Sequence, residues 1–384
     1  MRFALASQAL VGAVAVSAAA VPHPVEKRIK LIDLKQFGSF PTITPQQAHN
    51  QAESLAGLIF GDGPQFTGGK STSKTNSKLP AAGEEKATTA TAAAAADGTC
   101  DRNNPAVRFE WRNYSADDRK AFVNGIKCLM DKPSNGGFQG SQSRYEDIVS
   151  VHQQMTPTIH QRAVFLPWHR YYVSVFESLM REECGFDRAF PWWDETLDSG
   201  KFAQSSIFTD EYFGPLPGKT SDGQGTCIES GTFGGLTLHI GPGSGFSDHC
   251  LGRAVDESLT GTVSSQFVED CNSRTSYDDM RGCQELGPHA YGHNGVGAVM
   301  AEVQASPGDP VFFMHHLFVD HSFRIWQNAD AARTTSINGC ADANNPCTQI
   351  TMDYVLSSNG LRPNTTIGNV MDTLGGYLCY RYDY

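Results

Sequence analysis

The chain has 384 residues, a 40% hydrophobic share and a formal net charge of −11. That length allows one large domain or two small ones, with enough apolar residues for a sizeable core. The acidic balance and the lack of a long basic run argue against nucleic acid as the main partner, and acidity itself speaks mainly to solubility.

Residues 1–20 read as an export signal. Arg2 supplies the charged start, residues 4–16 are a short apolar stretch, and Ser17, Ala18, Ala19 and Ala20 supply small residues for cleavage. The stretch is too short and too rich in alanine to span a membrane, and no later segment is apolar enough. The expectation is a secreted protein with no membrane partner. Residues 21–99 read as a propeptide or an N-terminal arm ending in a flexible linker. Lys27-Arg28 resembles a dibasic maturation site with cleavage after Arg28; two exposed charges are the plain alternative. Thr44, Pro45 and Gln47 predict a helix start, with a helix to about Phe60. Residues 61–98 are Gly, Ser, Thr, Lys and Ala with almost no large apolar side chains, hence a linker.

The main domain is placed at residues 100–384. All ten cysteines lie there, and an even number in an exported chain predicts disulfides whose pairing the sequence leaves open. Asn113 and Asn364 each open a glycosylation triplet. Ser115 starts a helix that runs to Met130. Further helices are predicted over 144–155, 165–184, 283–303 and 309–328, the last opened by Asp309 and Pro310. Residues 199–280, broken by Gly, Pro and Ser, read as long loops with short elements. Strands are expected near Tyr354 and Tyr377. The predicted fold is mainly α: a helix bundle carries the chemistry, with long loops and a few short strands.

Twelve histidines fall unevenly. His289 and His293, four apart on a predicted helix, share a face and can share a metal; His316 on the following helix is the natural third. His152, His160 and His169 make a second trio. Imidazole suits zinc, copper, iron and nickel. No Cys-x-x-Cys pair supports a structural zinc site, and non-haem iron usually recruits a carboxylate. Three neutral imidazoles per metal suit copper best, while zinc stays open on these grounds. His239, His249 and His321 read as structural.

The run from His160 through Phe165, Leu166, Pro167, Trp168, His169 and Arg170 resembles the first copper signature of tyrosinases and catechol oxidases. The run Asp309-Pro310-Val311-Phe312-Phe313-Met314-His315-His316-Leu317-Phe318-Val319-Asp320 resembles the second, which haemocyanins share. Val107 to Arg112, Phe190-Pro191-Trp192-Trp193-Asp194 and Tyr380-Arg381-Tyr382 resemble three further motifs of the family, so the likeness spans about 100–384. It implies a central four-helix bundle with two copper ions, one at His152, His160 and His169, the other at His289, His293 and His316. O2 is the implied co-substrate and a small phenol the implied substrate. The expected reaction turns o-diphenols, and o-aminophenols, into o-quinones while O2 becomes water. Alternatives are a true tyrosinase, a tailoring oxidase of secondary metabolism, and a haemocyanin-like O2 carrier.

The same likeness gives His315 as a neighbour facing elsewhere, Asp320 as a group steadying the site, and Phe312 as packing against the ligands. Val303 aligns with a position that gates the pocket; an ordinary core valine is the alternative. Where tyrosinases often carry Asn after the first histidine of the second copper site stands Ala290, while Asn294 follows the next histidine. This makes monophenol hydroxylation less expected, with Glu285 as the candidate acid. Thr158 stands where many fungal members place a thioether cysteine, so no such crosslink is expected. The chain ends two residues after Tyr382, so no C-terminal lid is expected, and any latency would have to come from the N-terminal segment. No side chain is expected to plug the site.

Overall fold

The computed structural model describes residues 29–50 and 100–384. The export signal, Lys27-Arg28, the helix beyond residue 50 and the linker lie outside the described residues. Among the described residues no helix is long and apolar enough to cross a membrane.

Helices α1 (Ala116–Asp131), α2 (Arg144–Ile159) and α3 (Phe165–Cys184) are the first helices of the main domain. Ser115 caps α1 by accepting from the Asp118 N–H, and Ser143 caps α2 by accepting from the Glu146 N–H. These bonds satisfy amides that have no partner inside the helix. Gly185, left-handed at φ 64°, closes α3 with its N–H on the Met180 carbonyl. α2 runs beyond the predicted residue 155 to Ile159, past Pro157.

The single helix predicted over 283–303 is broken. Its parts are α4 (Tyr277–Gln284), a π turn over Glu285–His289 and α5 (Ala290–Val296). Gly287 sits at φ −100°, ψ −113°, outside the helical region. Pro288 has no N–H to give, so the break falls at the Gly287-Pro288 pair. Gly297, at φ 77°, ends α5. α6 (Val311–Asn328) begins just after Pro310, and the Asp309 carboxylate accepts from the Val311 N–H at 3.1 Å. The same carboxylate receives the guanidinium of fully buried Arg253 at 2.7 and 2.9 Å.

α3 and α6 pack centrally, with the π turn and α5 on the face of α6. Tyr380–Tyr382 pairs parallel with Ala106–Glu110, which pairs parallel with Pro191–Trp192, so the resembling motifs form one small sheet. Leu31–Ile32 adds antiparallel to Gly225–Cys227, which tethers residues 29–50 to the domain. Thr44 and Gln47 form the expected reciprocal cap: Thr44 Oγ1 accepts from the Gln47 N–H and Gln47 Oε1 accepts from the Thr44 N–H. All ten cysteines are paired, as Cys100–Cys379, Cys128–Cys184, Cys227–Cys250, Cys271–Cys283 and Cys340–Cys347. None is left for a thioether, and Thr158 is exposed with its hydroxyl on the Met155 carbonyl.

Candidate metal centre

Two groups of buried imidazoles meet between these helices. α2 supplies His152 and, at its C-terminal end, His160; α3 supplies His169. The π turn supplies His289, α5 His293 and α6 His316. In each group the ligand atoms lie within 4.8 Å of one another, and His315 of α6 falls within the same distance of the second group. The groups touch: the His169 and His316 rings stack at 4.4 Å between centroids, and His160 lies 6.3 Å from His289.

The second nitrogen of each ring decides what the first can do. Nδ1–H of His152 donates to the Gln304 carbonyl at 2.8 Å, that of His169 to Phe165 at 2.8 Å, and that of His160 to Thr156 at 3.4 Å. His289 donates to the Glu285 carbonyl at 2.9 Å and His293 to Met300 at 2.7 Å. A carbonyl only accepts, so in each of these five neutral rings Nε2 carries a bare lone pair. Burial, aided by neighbouring imidazoles, keeps the rings neutral: it brings His152 down to about 3, and burial alone brings His160 down to about 4. Burial first, then the neighbouring imidazoles, pushes His169, His289, His293 and His316 well below the ordinary value. Nε2 of His152 and His169 face each other at 3.5 Å, and Nε2 of His293 and His316 at 3.3 Å. The buried Nε2 atoms of His160 and His289 have no hydrogen-bond partner. The bare Nε2 atoms of His152, His160, His169 and His289 converge with no donor among them, and such stranded acceptors call for a cation. The donor set fits a pair of metal ions.

His315 does not face elsewhere as expected. Its ring lies 4.5 Å from His293 and 5.3 Å from His289, and its Nδ1 meets a Glu195 carboxylate oxygen at 2.6 Å. Successive residues on a helix differ by about 100°, and the second group surrounds α6 closely enough for both rings to reach it. Gly292 makes room for this pair: a Cβ there would stand 2.5 Å from His315 Cε1 and 2.8 Å from Glu195 Oε2.

Phe312 lies 4.1 Å from His316 and 5.2 Å from His152, so it packs against both groups. Asp320 binds no imidazole. Its carboxylate receives Arg170 Nε at 2.5 Å, Arg108 Nη1 at 3.4 Å and the hydroxyls of Tyr380 and Tyr382, each at 2.5 Å. It therefore clamps α3 and the closing sheet to α6 one turn beyond His316. Glu285 is buried. Its carboxylate accepts from Arg281 at 2.9 Å and the Gln161 N–H at 2.5 Å, and burial raises it to about 7 against the pull of Arg281. Ala290 is fully buried and offers no polar atom. Asn294 bonds the backbone of Phe40 in both directions, each at 2.9 Å. Ala298 and Ala301 line the adjoining cleft, and Val303 is not among its lining residues. Asn113 and Asn364 are exposed, with the Asn113 amide on Asp383. Away from the centre, His239 pairs with Glu146, His249 donates to the Ser247 carbonyl, and His321 stacks on Trp192.

A plug is present, against expectation. The Phe40 ring stacks on His293 at 4.2 Å and meets His289 and His160 edge-on at 5.1 and 5.8 Å. Sequence reasoning missed it because nothing in the chain around Phe40 signals a partner more than 250 residues away. Phe165, 4.6 Å from His169 and 4.8 Å from His289, was legible only as part of the copper signature.

Residues 142–329 match the model of the common central domain of tyrosinase. The chain is 30% identical over 349 residues to the N-acetyl-6-hydroxytryptophan oxidase ivoB of Emericella nidulans, covering 74% of this chain and 94% of that protein. It is 33% identical over 290 residues to the tyrosinase ustQ of Aspergillus flavus, covering 73% of this chain and 80% of that protein. The solved polyphenol oxidase of Thermothelomyces thermophila superimposes with a TM-score of 0.66 at 26% identity, covering 74% of this chain and 90% of the other. The chain belongs to the tyrosinase family and is an oxidoreductase of that class. The family implies a binuclear copper centre, which the two imidazole groups fit.

Proposed function

We propose that the chain is a secreted oxidase that holds one copper ion at His152, His160 and His169 and a second at His289, His293 and His316. It oxidises o-diphenols to o-quinones, and o-aminophenols to o-quinone imines: two diphenols give up four electrons and four protons, and one O2 becomes two waters. When bound, the copper pair supplies reversible one-electron chemistry and a place for O2. The protein's own part is geometric. Carbonyl-fixed Nδ1–H groups lock the tautomers of five of the six rings, and Phe165, Phe312 and the surrounding apolar wall exclude water. The observation that carries this reading is the convergence of bare, buried Nε2 atoms from two adjoining trios.

Ala290 and the engaged carboxylate of Glu285 support diphenols over monophenols, since neither offers a free polar group to take a phenol proton. The likeness to the hydroxytryptophan oxidase favours a second reading, a tailoring oxidase for a larger hydroxylated aromatic. Five disulfides and the leader-like start support export. The test is quinone formation by copper-loaded protein given 4-methylcatechol, tyrosine or a hydroxyindole. Colour with the catechol and none with tyrosine is expected. Colour only with the hydroxyindole moves the assignment to the second reading. Reversible O2 uptake without oxidation of any of the three overturns both.

A further inference from the structure

Residues 29–50 lie across the centre and are fastened at several points. Ile32 is buried against Gly225 and Gly252 in the small sheet formed by Leu31–Ile32. The Ile43 N–H donates to the Leu286 carbonyl, inside the π turn that carries His289. The Arg274 guanidinium reaches the Ala48 carbonyl. Between these fastenings Phe40 is only 5% exposed, and its backbone is gripped by the Asn294 side chain next to His293.

The ring of Phe40 touches imidazoles of both trios, at 4.2 Å on His293 and 5.8 Å on His160. A phenolic ring presented to both metals has to occupy the same volume, and two aromatic rings cannot. Beside it, residues 34–42 form one wall of an open cleft of about 350 Å³ whose other wall includes Lys219, Asn294, Ala298 and Ala301. Phe40 lines this cleft and, with its ring, touches the imidazoles of both trios.

We infer that residues 29–50 are an autoinhibitory strap, with Phe40 holding the seat of the substrate's aromatic ring. The inference rests on the copper-oxidase reading above. Its consequence is specific. Cleavage after Arg28 leaves the strap whole, so removal of the residues before Ile29 does not open the centre. Opening requires that Phe40 leave its seat. By linkage, ligand and strap exclude each other, and the apparent affinity for a phenol is the intrinsic affinity reduced by the fraction of molecules with the strap displaced.

The experiment uses the full copper-loaded chain and 4-nitrocatechol, whose visible band reports binding without turnover. Two variants open the centre in different ways. Phe40→Ala empties the seat, and Ile32→Asp unfastens the strap at a point remote from the histidines. Both are expected to bind the probe roughly tenfold more tightly than the parent chain or better. They are also expected to oxidise 4-methylcatechol faster, with copper per chain unchanged. In the parent chain, saturating 4-nitrocatechol is expected to speed hydrogen exchange at the Phe40 and Ile43 amides. Equal binding by parent and variants overturns the strap, and so does exchange at those amides that ignores the probe. Tighter binding by the variants with no catechol oxidation leaves the strap standing and sinks the oxidase reading instead.

Discussion

A single proton position on each of the five carbonyl-bound rings sets up the centre. Were Nε2–H the tautomer at His152 or His293, the backbone carbonyls of Gln304 and Met300 would face a lone pair, and the nitrogen facing the metal would carry a hydrogen. Gly292 is the residue on which the second group depends most narrowly. A methyl there would stand 2.5 Å from the His315 ring and 2.8 Å from Glu195, both buried and unable to retreat into solvent. His315 would be driven toward His293, 4.5 Å away. Gly292→Ala is therefore expected to destabilise the fold by about 1–3 kcal/mol. It should also lower bound copper from about two ions per chain toward one, because the first trio has no contact with the new methyl. Metal analysis beside a thermal melt checks this; full copper occupancy with an unshifted melt would show that the pocket around His315 yields freely.

At the scale of elements, the centre stays assembled because α3 and α6 are locked one residue past His169 and one turn past His316. The lock is Asp320 with Arg170, Arg108, Tyr380 and Tyr382, all buried. Burial alone would raise the Asp320 carboxyl, but Arg170 and Arg108 outweigh it and hold it below the ordinary carboxylate value. Asp320→Asn leaves two buried guanidinium groups short of charge, and a loss of about 3–5 kcal/mol is expected. A depressed carboxylate contributes its stability above the unfolded value of about 3.9 and loses it as pH falls through the lower folded value. The parent chain should thus lose stability steeply below about pH 4, and the variant should show a shallower acid limb in denaturant melts across that range. An identical limb would assign the acid transition to other carboxylates, such as Glu177, which Arg181 and Arg108 hold down in the same way against burial. Helix identity was legible because caps and periodicity agreed at Ser115 and over 165–184. The interruption at Gly287-Pro288 was not, since His289 and His293 both lie beyond it and keep the helical spacing on which the prediction of one long helix rested.

At the scale of the molecule, both imidazole trios could be read from sequence, because each signature keeps its histidines within one helix or one helical hairpin. Phe40, Glu195 and the setting of His315 could not, because each is brought in by the tertiary fold alone. The disulfide pairing belongs to the same class, and Cys100–Cys379 shows why it matters. It joins residues 279 apart and lies just before the strand Tyr380–Tyr382 and just ahead of its partner Ala106–Glu110. That parallel pair sets Arg108, Tyr380 and Tyr382 around Asp320, so the crosslink holds both ends of the domain to the clamp on α3 and α6. Three paired residues form a short parallel strand with little stability of its own. Replacing both cysteines with serine frees the C-terminal residues in the unfolded chain and is expected to cost about 2–5 kcal/mol. Because the imidazoles are carried by other elements, copper content at room temperature should be preserved while the melting temperature falls. Calorimetry with metal analysis on the same sample separates the two effects. Early copper loss without a lower melt would mean that the closing strand supports the centre directly, through the Asp320 clamp, rather than by holding the chain ends together.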